Sequence, residues 1–176
     1  MNRWKLLVVD DDPLLGDTIV HALSDMPVSV SVSRTGAEGV RQCEITPMDI
    51  ILLDQKLPDA QGDDLCRPLL DRCEKAKIIF ITAFPSFENA IQGIKLGVYD
   101  YLTKPFGAGE LRLTIQRVLH TLKLERLVHV HQFQRKQEAH DTVLVGADTG
   151  LLDVSRMVTL AAGNHAPVLI TGETGT

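Results

Sequence analysis

Five short apolar or β-branched runs, each separated from the next by an amphipathic stretch, constrain this chain more than any other feature of its sequence. They fall at residues 5–9, 28–32, 49–53, 77–82 and 99–102. Strands that alternate with helical segments of this length pair in parallel, because the intervening helix carries the chain back across one face of the sheet. The first, third and fourth runs are almost wholly apolar, as strands covered on both faces should be. The second alternates Val28, Val30 and Val32 with serines and suits an edge. Helices are predicted at residues 13–24, with Pro13 in the first turn, and at 36–43, 62–73 and 86–95, the last ending before Gly97 as the residue beyond its C-cap. The expected fold is α/β, a doubly wound five-stranded parallel sheet.

A fifth helix is predicted from about Glu110, where Leu111, Ile115, Val118 and Leu122 recur at helical spacing. Beyond Leu122 the apolar repeat weakens, although no residue breaks a helix until about Asp141. This stretch, with Leu127, Val130 and Phe133, reads as a helical linker that pairs with a second copy of itself; the alternative is a solvated helix, since the heptad is imperfect. Apolar character returns from Val143, with a helix-like segment at 150–162 and a strand-like one at 168–170.

Size and charge limit the function classes. A chain of 176 residues holds one full domain and an extension too short for a second. A net charge of -5 supplies no drive toward nucleic acid, which is held by clustered Lys and Arg. No apolar run approaches the roughly 20 residues of a membrane-spanning helix, and no signal-peptide pattern opens the sequence, so the expectation is a cytoplasmic protein with no membrane association. Cys43, Cys66 and Cys73 lack metal-ligand spacing and are expected to be reduced bystanders.

The polar residues that interrupt the apolar runs converge. In an open parallel sheet, reactive side chains collect at the carboxyl ends of the strands. The first run ends in Asp10, Asp11 and Asp12, the third in Asp54 and the fourth in Thr82, while Lys104 and Pro105 follow the fifth. Asp12, directly before Pro13, is placed to cap the first helix. Asp10, Asp11 and Asp54 would repel one another unless a cation intervened, and Mg²⁺ prefers a few carboxylate oxygens while accepting a phosphoryl oxygen as a further ligand. With that charge screened, Asp54 is the candidate nucleophile toward phosphorus, Lys104 the charge neutraliser and Thr82 a hydroxyl donor. Each residue alone has an ordinary explanation as a turn, cap or β-former, and Pro105 is a candidate for a turn or a cis peptide bond. Their convergence on one sheet edge favours the chemical reading.

Four segments carry a resemblance. Leu-Val-Val-Asp-Asp-Asp-Pro at 7–13, Ile-Leu-Leu-Asp-Gln-Lys-Leu-Pro at 51–58, Ile-Thr-Ala at 81–83 and Asp-Tyr-Leu-Thr-Lys-Pro-Phe at 100–106 resemble the receiver domains of bacterial two-component response regulators. The resemblance covers about residues 3–120 and implies a flavodoxin-like sheet of order 2-1-3-4-5. It implies that Asp54 accepts a phosphoryl group from a sensor histidine kinase. Mg²⁺ would be held by Asp10, Asp11, Asp54 and the backbone carbonyl of Lys56, with Thr82 and Lys104 touching the phosphoryl group. Thr82 and Tyr101 would form the switch, repacking the face between the fourth and fifth helices, through which, with the linker helix, a homodimer is expected.

The tail carries a second resemblance. Leu144-Val145-Gly146 and the segment Val168-Leu169-Ile170-Thr171-Gly172-Glu173-Thr174-Gly175-Thr176 are similar to the opening of the AAA+ ATPase domain of sigma-54-dependent transcription activators. Gly172, Glu173, Thr174, Gly175 and Thr176 would begin a P-loop, but its second glycine and its lysine lie past the last residue. No ATP binding or turnover is therefore expected of these 176 residues. The expected partition is a receiver at 3–120, a linker at 121–140 and the start of an ATPase domain at 141–176. DNA and sigma-54 RNA polymerase would be reached only through domains absent from the chain. The alternative function is a phosphate-independent, receiver-like dimerisation module.

Overall fold

The computed structural model describes residues 3–83, 93, 95–141, 153, 156, 157, 159 and 160, with backbone alone for 129–141. Two compact units divide the chain, Met1–Arg126 and Leu127–Thr176. The first contains one five-stranded parallel sheet in the order β2-β1-β3-β4-β5. Its strands are β1 (Trp4–Val9), β2 (Val28–Ser33), β3 (Ile50–Asp54), β4 (Lys77–Thr82) and β5 (Asp100–Thr103). The order is the one expected, with the serine-alternating β2 at an edge.

Alternation along each strand divides the interior into two layers, because successive side chains point to opposite faces. Leu6, Val8, Ile50, Leu52, Ile79 and Ile81 pack with α1 (Pro13–Ala22) and the C-terminal helix (Ala108–Asp141). Leu7, Val9, Ile51, Leu53, Ile78 and Phe80 face the opposite layer, with α2 (Gly36–Ile45) and α3 (Gly62–Arg72). All twelve of these strand side chains are fully buried. Each contributes about 1.5–3 kcal/mol of transfer free energy, so Leu52→Ala in the middle of β3 would cost about 2–5 kcal/mol.

Helix starts follow their capping residues. Asp12 accepts from Leu14 N–H at 2.9 Å and Leu15 N–H at 3.4 Å, and Pro13 occupies the first turn, where its missing N–H is not needed. Thr35 caps α2 by accepting from Glu38 N–H. Gly97 has φ 83°, a left-handed conformation that glycine adopts without a Cβ penalty, after helical residues at Gly93, Lys95 and Leu96. The C-terminal helix buries Leu111, Ile115, Val118, Leu119 and Leu122 and is fastened to the end of α1 by Arg112. That guanidinium donates to both carboxylate oxygens of Asp25, at 2.7 and 2.6 Å, and to Ala22 O at 2.8 Å.

Element bounds shift by a few residues from the sequence reading. The C-terminal helix begins at Ala108 and β3 runs one residue further, so that Asp54 is its last member. Most of the predicted helix at 86–95 lies outside the described residues, as do the strand predicted at 168–170 and the glycine loop Gly172–Thr176. In the second unit, Asp153, Arg156, Met157, Thr159 and Leu160 are helical and exposed. Among the described residues no helix is long and apolar enough to cross a membrane.

Candidate acidic site

The parallel register carries the polar ends of β1, β3, β4 and β5 to one edge of the sheet. Val9 pairs with Leu53, Asp54 with Ile81 and Thr82 with Thr103, so residues 10, 54, 82 and 104 end their strands side by side. One carboxylate oxygen from each of Asp10, Asp11 and Asp54 lies within 4.8 Å of the other two. This all-oxygen, all-anionic set suits a hard divalent cation such as Mg²⁺, which takes carboxylate oxygens and leaves other positions for water or phosphate.

Lys104 spans the cluster. Its Nζ donates to Asp54 Oδ2 at 2.6 Å and to Asp10 Oδ2 at 2.7 Å. The second oxygen of each acid accepts a backbone N–H, Asp54 Oδ1 from Lys56 at 3.0 Å and Asp10 Oδ1 from Asp12 at 3.0 Å. Both carboxylates are therefore fixed in orientation. Asp10 is fully buried, and that burial raises its pKa, with repulsion from Asp54 adding to the rise and the Lys104 and Asp12 contacts opposing it. Burial alone would lower the Lys104 pKa, but its bonds to Asp10 and Asp54 outweigh that effect and raise it. Asp11 is exposed. Asp12 caps α1, as expected, while Asp10 and Asp11, the residues expected to hold the metal, lie together with Asp54.

The remaining residues singled out from sequence lie around this core. Thr82 is buried at the end of β4, and its carbonyl accepts from Lys104 N–H at 2.8 Å. The Lys104–Pro105 bond is cis. The Tyr101 ring packs on Phe80, with centroids 5.6 Å apart and planes at 59°. Lys56 is exposed and pairs with Gln61 in an isolated antiparallel bridge. The three cysteines are free and buried, and burial pushes the thiols of Cys43 and Cys66 up to about 12, so neither is ionised enough to react at neutral pH.

Three residues that shape the site were not singled out from sequence. A Cβ at Gly62 would meet Asp54 O at 2.8 Å and Phe80 Cε1 at 3.1 Å, so only glycine lets α3 start this close to the end of β3. Gly93 plays a similar part for Tyr101. Asp59 bonds α2 from the loop after β3. Their signal in the sequence is weak, because a glycine or aspartate in a loop or helix is ordinary until its neighbour is known.

The comparisons agree with this geometry. Residues 6–116 match the response regulator receiver domain family. The chain is 30% identical over 175 residues to the response regulator protein PilR of Pseudomonas aeruginosa, which covers 99% of this chain and 37% of that protein. It is 28% identical over 169 residues to the regulatory protein LuxO of Vibrio cholerae, covering 96% and 36% respectively. It thus spans little more than a third of the length of these curated relatives. A CheY-like response regulator receiver domain from Methanospirillum hungatei superposes with TM-score 0.66 at 28% identity, over 70% of this chain and 98% of that one. Chemotaxis protein CheY4 of Vibrio cholerae gives TM-score 0.63 at 26% identity, over 66% and 98%. The family match runs from within β1 past β5 and takes in every member of the acidic cluster, and the chain belongs to the response regulator receiver domain family.

Proposed function

We propose that this chain is a phosphorylation-controlled switch in which Asp54 takes a phosphoryl group from a phosphohistidine on a sensor kinase. The observation that carries the reading is the juxtaposition of Asp10, Asp11 and Asp54 within 4.8 Å, with Lys104 paired to both Asp10 and Asp54. Asp10, Asp11, Asp54 and the Lys56 carbonyl would hold Mg²⁺, which supplies charge neutralisation for the incoming phosphoryl oxygens. A carboxylate oxygen of Asp54 attacks phosphorus, the P–N bond to the donor histidine breaks, and an acyl phosphate forms on Asp54. Lys104 then exchanges a carboxylate oxygen for a phosphoryl oxygen, and the Thr82 hydroxyl donates a hydrogen bond to another. As Thr82 moves toward the phosphate, Tyr101 repacks and the face beside β5 changes shape.

The output belongs to the same proposal. The likeness to PilR and LuxO over nearly the whole chain supports reading residues 3–120 as the switch, 121–140 as a dimerising linker and 141–176 as the opening of an AAA+ domain. In that reading the full protein is a cytoplasmic sigma-54-dependent transcription activator, whose ATP- and DNA-binding parts extend beyond this chain, and phosphorylation acts by rearranging its dimer. This chain would perform only its own phosphorylation and slow dephosphorylation.

The test supplies a small-molecule phosphodonor with and without Mg²⁺. Incorporated phosphate should be acid-stable and base-labile, should require Mg²⁺, and should vanish in Asp54→Asn. Incorporation that persists in Asp54→Asn overturns the assignment of the acceptor.

A further inference from the structure

The loop at residues 55–62, which carries Lys56 between β3 and α3, is closed on itself. Leu57 N–H donates to Ala60 O at 3.1 Å, Gly62 N–H donates to Gln55 O at 3.0 Å, and Lys56 pairs with Gln61. Leu57 is buried in the layer beneath. At the tip of this hairpin, Asp59 reaches a different element. Its Oδ1 accepts from Gly36 N–H and its Oδ2 from Ala37 N–H, each at 2.9 Å, and these are the first two residues of α2.

Helix starts carry N–H groups with no partner inside the helix, so a cap for α2 is one explanation of these bonds. Yet α2 already has a local cap: Thr35 Oγ1 accepts from Glu38 N–H at 3.2 Å, and Glu38 Oε2 accepts from Arg34 N–H at 3.0 Å. The Asp59 bonds differ in span, since they join residues 22 and 23 positions apart, and in using one carboxylate oxygen per donor, which fixes the group in two directions. These N–H contacts, Ala37 first and then Gly36, hold the Asp59 carboxyl below the usual carboxylate range.

From the clamp, a continuous path leads to the acceptor. The tip is joined through the Lys56–Gln61 bridge to the Lys56 peptide, whose N–H donates to Asp54 Oδ1 at 3.0 Å. We propose that Asp59 is a positioning residue for phosphoryl transfer, clamping the β3–α3 loop onto α2 so that the Lys56 peptide orients the Asp54 carboxylate and presents its own carbonyl to the metal. This rests on Asp54 as phosphoacceptor and Mg²⁺ as its cation. Asp59 touches neither the metal nor the phosphoryl group. Its effect passes through Lys56.

The experiment compares the 176-residue wild type with Asp59→Ala, Asp59→Asn and Thr35→Ala. Thr35→Ala removes the local cap of α2 and leaves the clamp. Mg²⁺ affinity, urea stability and amide hydrogen exchange at Lys56 are measured for each. Asp59→Ala should weaken Mg²⁺ binding roughly three- to ten-fold, at or below the loss that removing a hydrogen-bond partner of a metal ligand usually brings, and should speed exchange at Lys56. Asp59→Asn, which keeps one acceptor oxygen, should recover part of both. Thr35→Ala should lower stability without changing Mg²⁺ affinity. The proposal is overturned if Asp59→Ala binds Mg²⁺ as the wild type does, or if Thr35→Ala reproduces the loss at equal destabilisation. Failure of the wild type itself to bind Mg²⁺ or to accept phosphate at Asp54 would overturn the underlying reading together with this one.

Discussion

The ring of Tyr101 occupies the space in which a side chain at Gly93 would stand. A Cβ on Gly93 would lie 2.7 Å from Tyr101 Cζ, and nearer still to its hydroxyl, well inside van der Waals contact. Because this glycine is buried and the ring also rests on Phe80, the position of Tyr101 and the absence of a side chain at residue 93 are one structural fact.

Gly93→Ala should therefore turn the Tyr101 ring away from the helix. The check is the nuclear Overhauser contact between the Phe80 and Tyr101 rings, which should be strong in the wild type and lost in the variant. A destabilisation of about 1–3 kcal/mol should accompany it, as overpacking brings, and truncation by Tyr101→Ala in the same background should remove that penalty. Retention of the ring contact in Gly93→Ala would show that the helix yields instead.

Asp10→Asn should stabilise the metal-free protein while weakening Mg²⁺ binding. The Asp10 pKa is raised chiefly by burial, so its ionised form costs the folded state. That cost sets in as pH rises through the unfolded value, about 3.9, and is complete above the folded one. Asparagine keeps the shape and the acceptor for Asp12 N–H without the charge. Urea unfolding at pH 7 without metal should show a gain of about 1 kcal/mol, a change typical of relieved strain at functional sites. Titration should show Mg²⁺ affinity lower by at least about tenfold, as loss of a charged ligand implies.

Lys104→Met should have the opposite sign. It leaves Asp10 and Asp54 facing each other without the ammonium that holds them at 2.7 and 2.6 Å. The Lys104 side chain is 26% exposed, so the loss is set below that of a fully buried pair, at about 1–3 kcal/mol in the absence of metal. Mg²⁺ should restore part of it, because a divalent cation supplies the missing charge. The measurement is the Mg²⁺-dependent gain in urea stability, which should be larger in the variant than in the wild type.

Asp59 should contribute stability at neutral pH that disappears in acid. Its folded pKa lies below the ordinary value because Ala37 and Gly36 N–H groups bind the carboxylate. The contribution is thus present above the unfolded value of about 3.9 and is lost as pH falls through the folded one. Acid-unfolding curves of wild type and Asp59→Asn should differ at pH 5–7 and converge as pH falls through the folded value.

Much of the site was legible because strand ends are legible. Asp10, Asp54, Thr82 and Lys104 each end or follow a run whose pattern marks it as a strand, and the parallel arrangement of such runs brings their ends together whatever the details of packing. Bounds were less legible. The C-terminal helix starts two residues before the predicted Glu110, since Ala108 and Gly109 precede the apolar repeat and carry no signal of their own. Asp25, Asp59 and Gly93 were not legible as functional or fastening residues. Their partners are Arg112, the start of α2 and Tyr101, and nothing local to any of them announces the other.

By itself the sequence determined the α/β class, the strands, the edge position of β2 and the gathering of acids at one end of the sheet. Apolar periodicity is a local property, and it constrains which face of each element is buried. Only the tertiary structure decided that one ammonium, from Lys104, spans both Asp10 and Asp54, that Asp59 clamps the loop to α2, and that Tyr101 rests where Gly93 has no side chain. Those relationships turn on distances of a few ångströms between residues 8 to 94 positions apart, which depend on how elements dock rather than on what each one is.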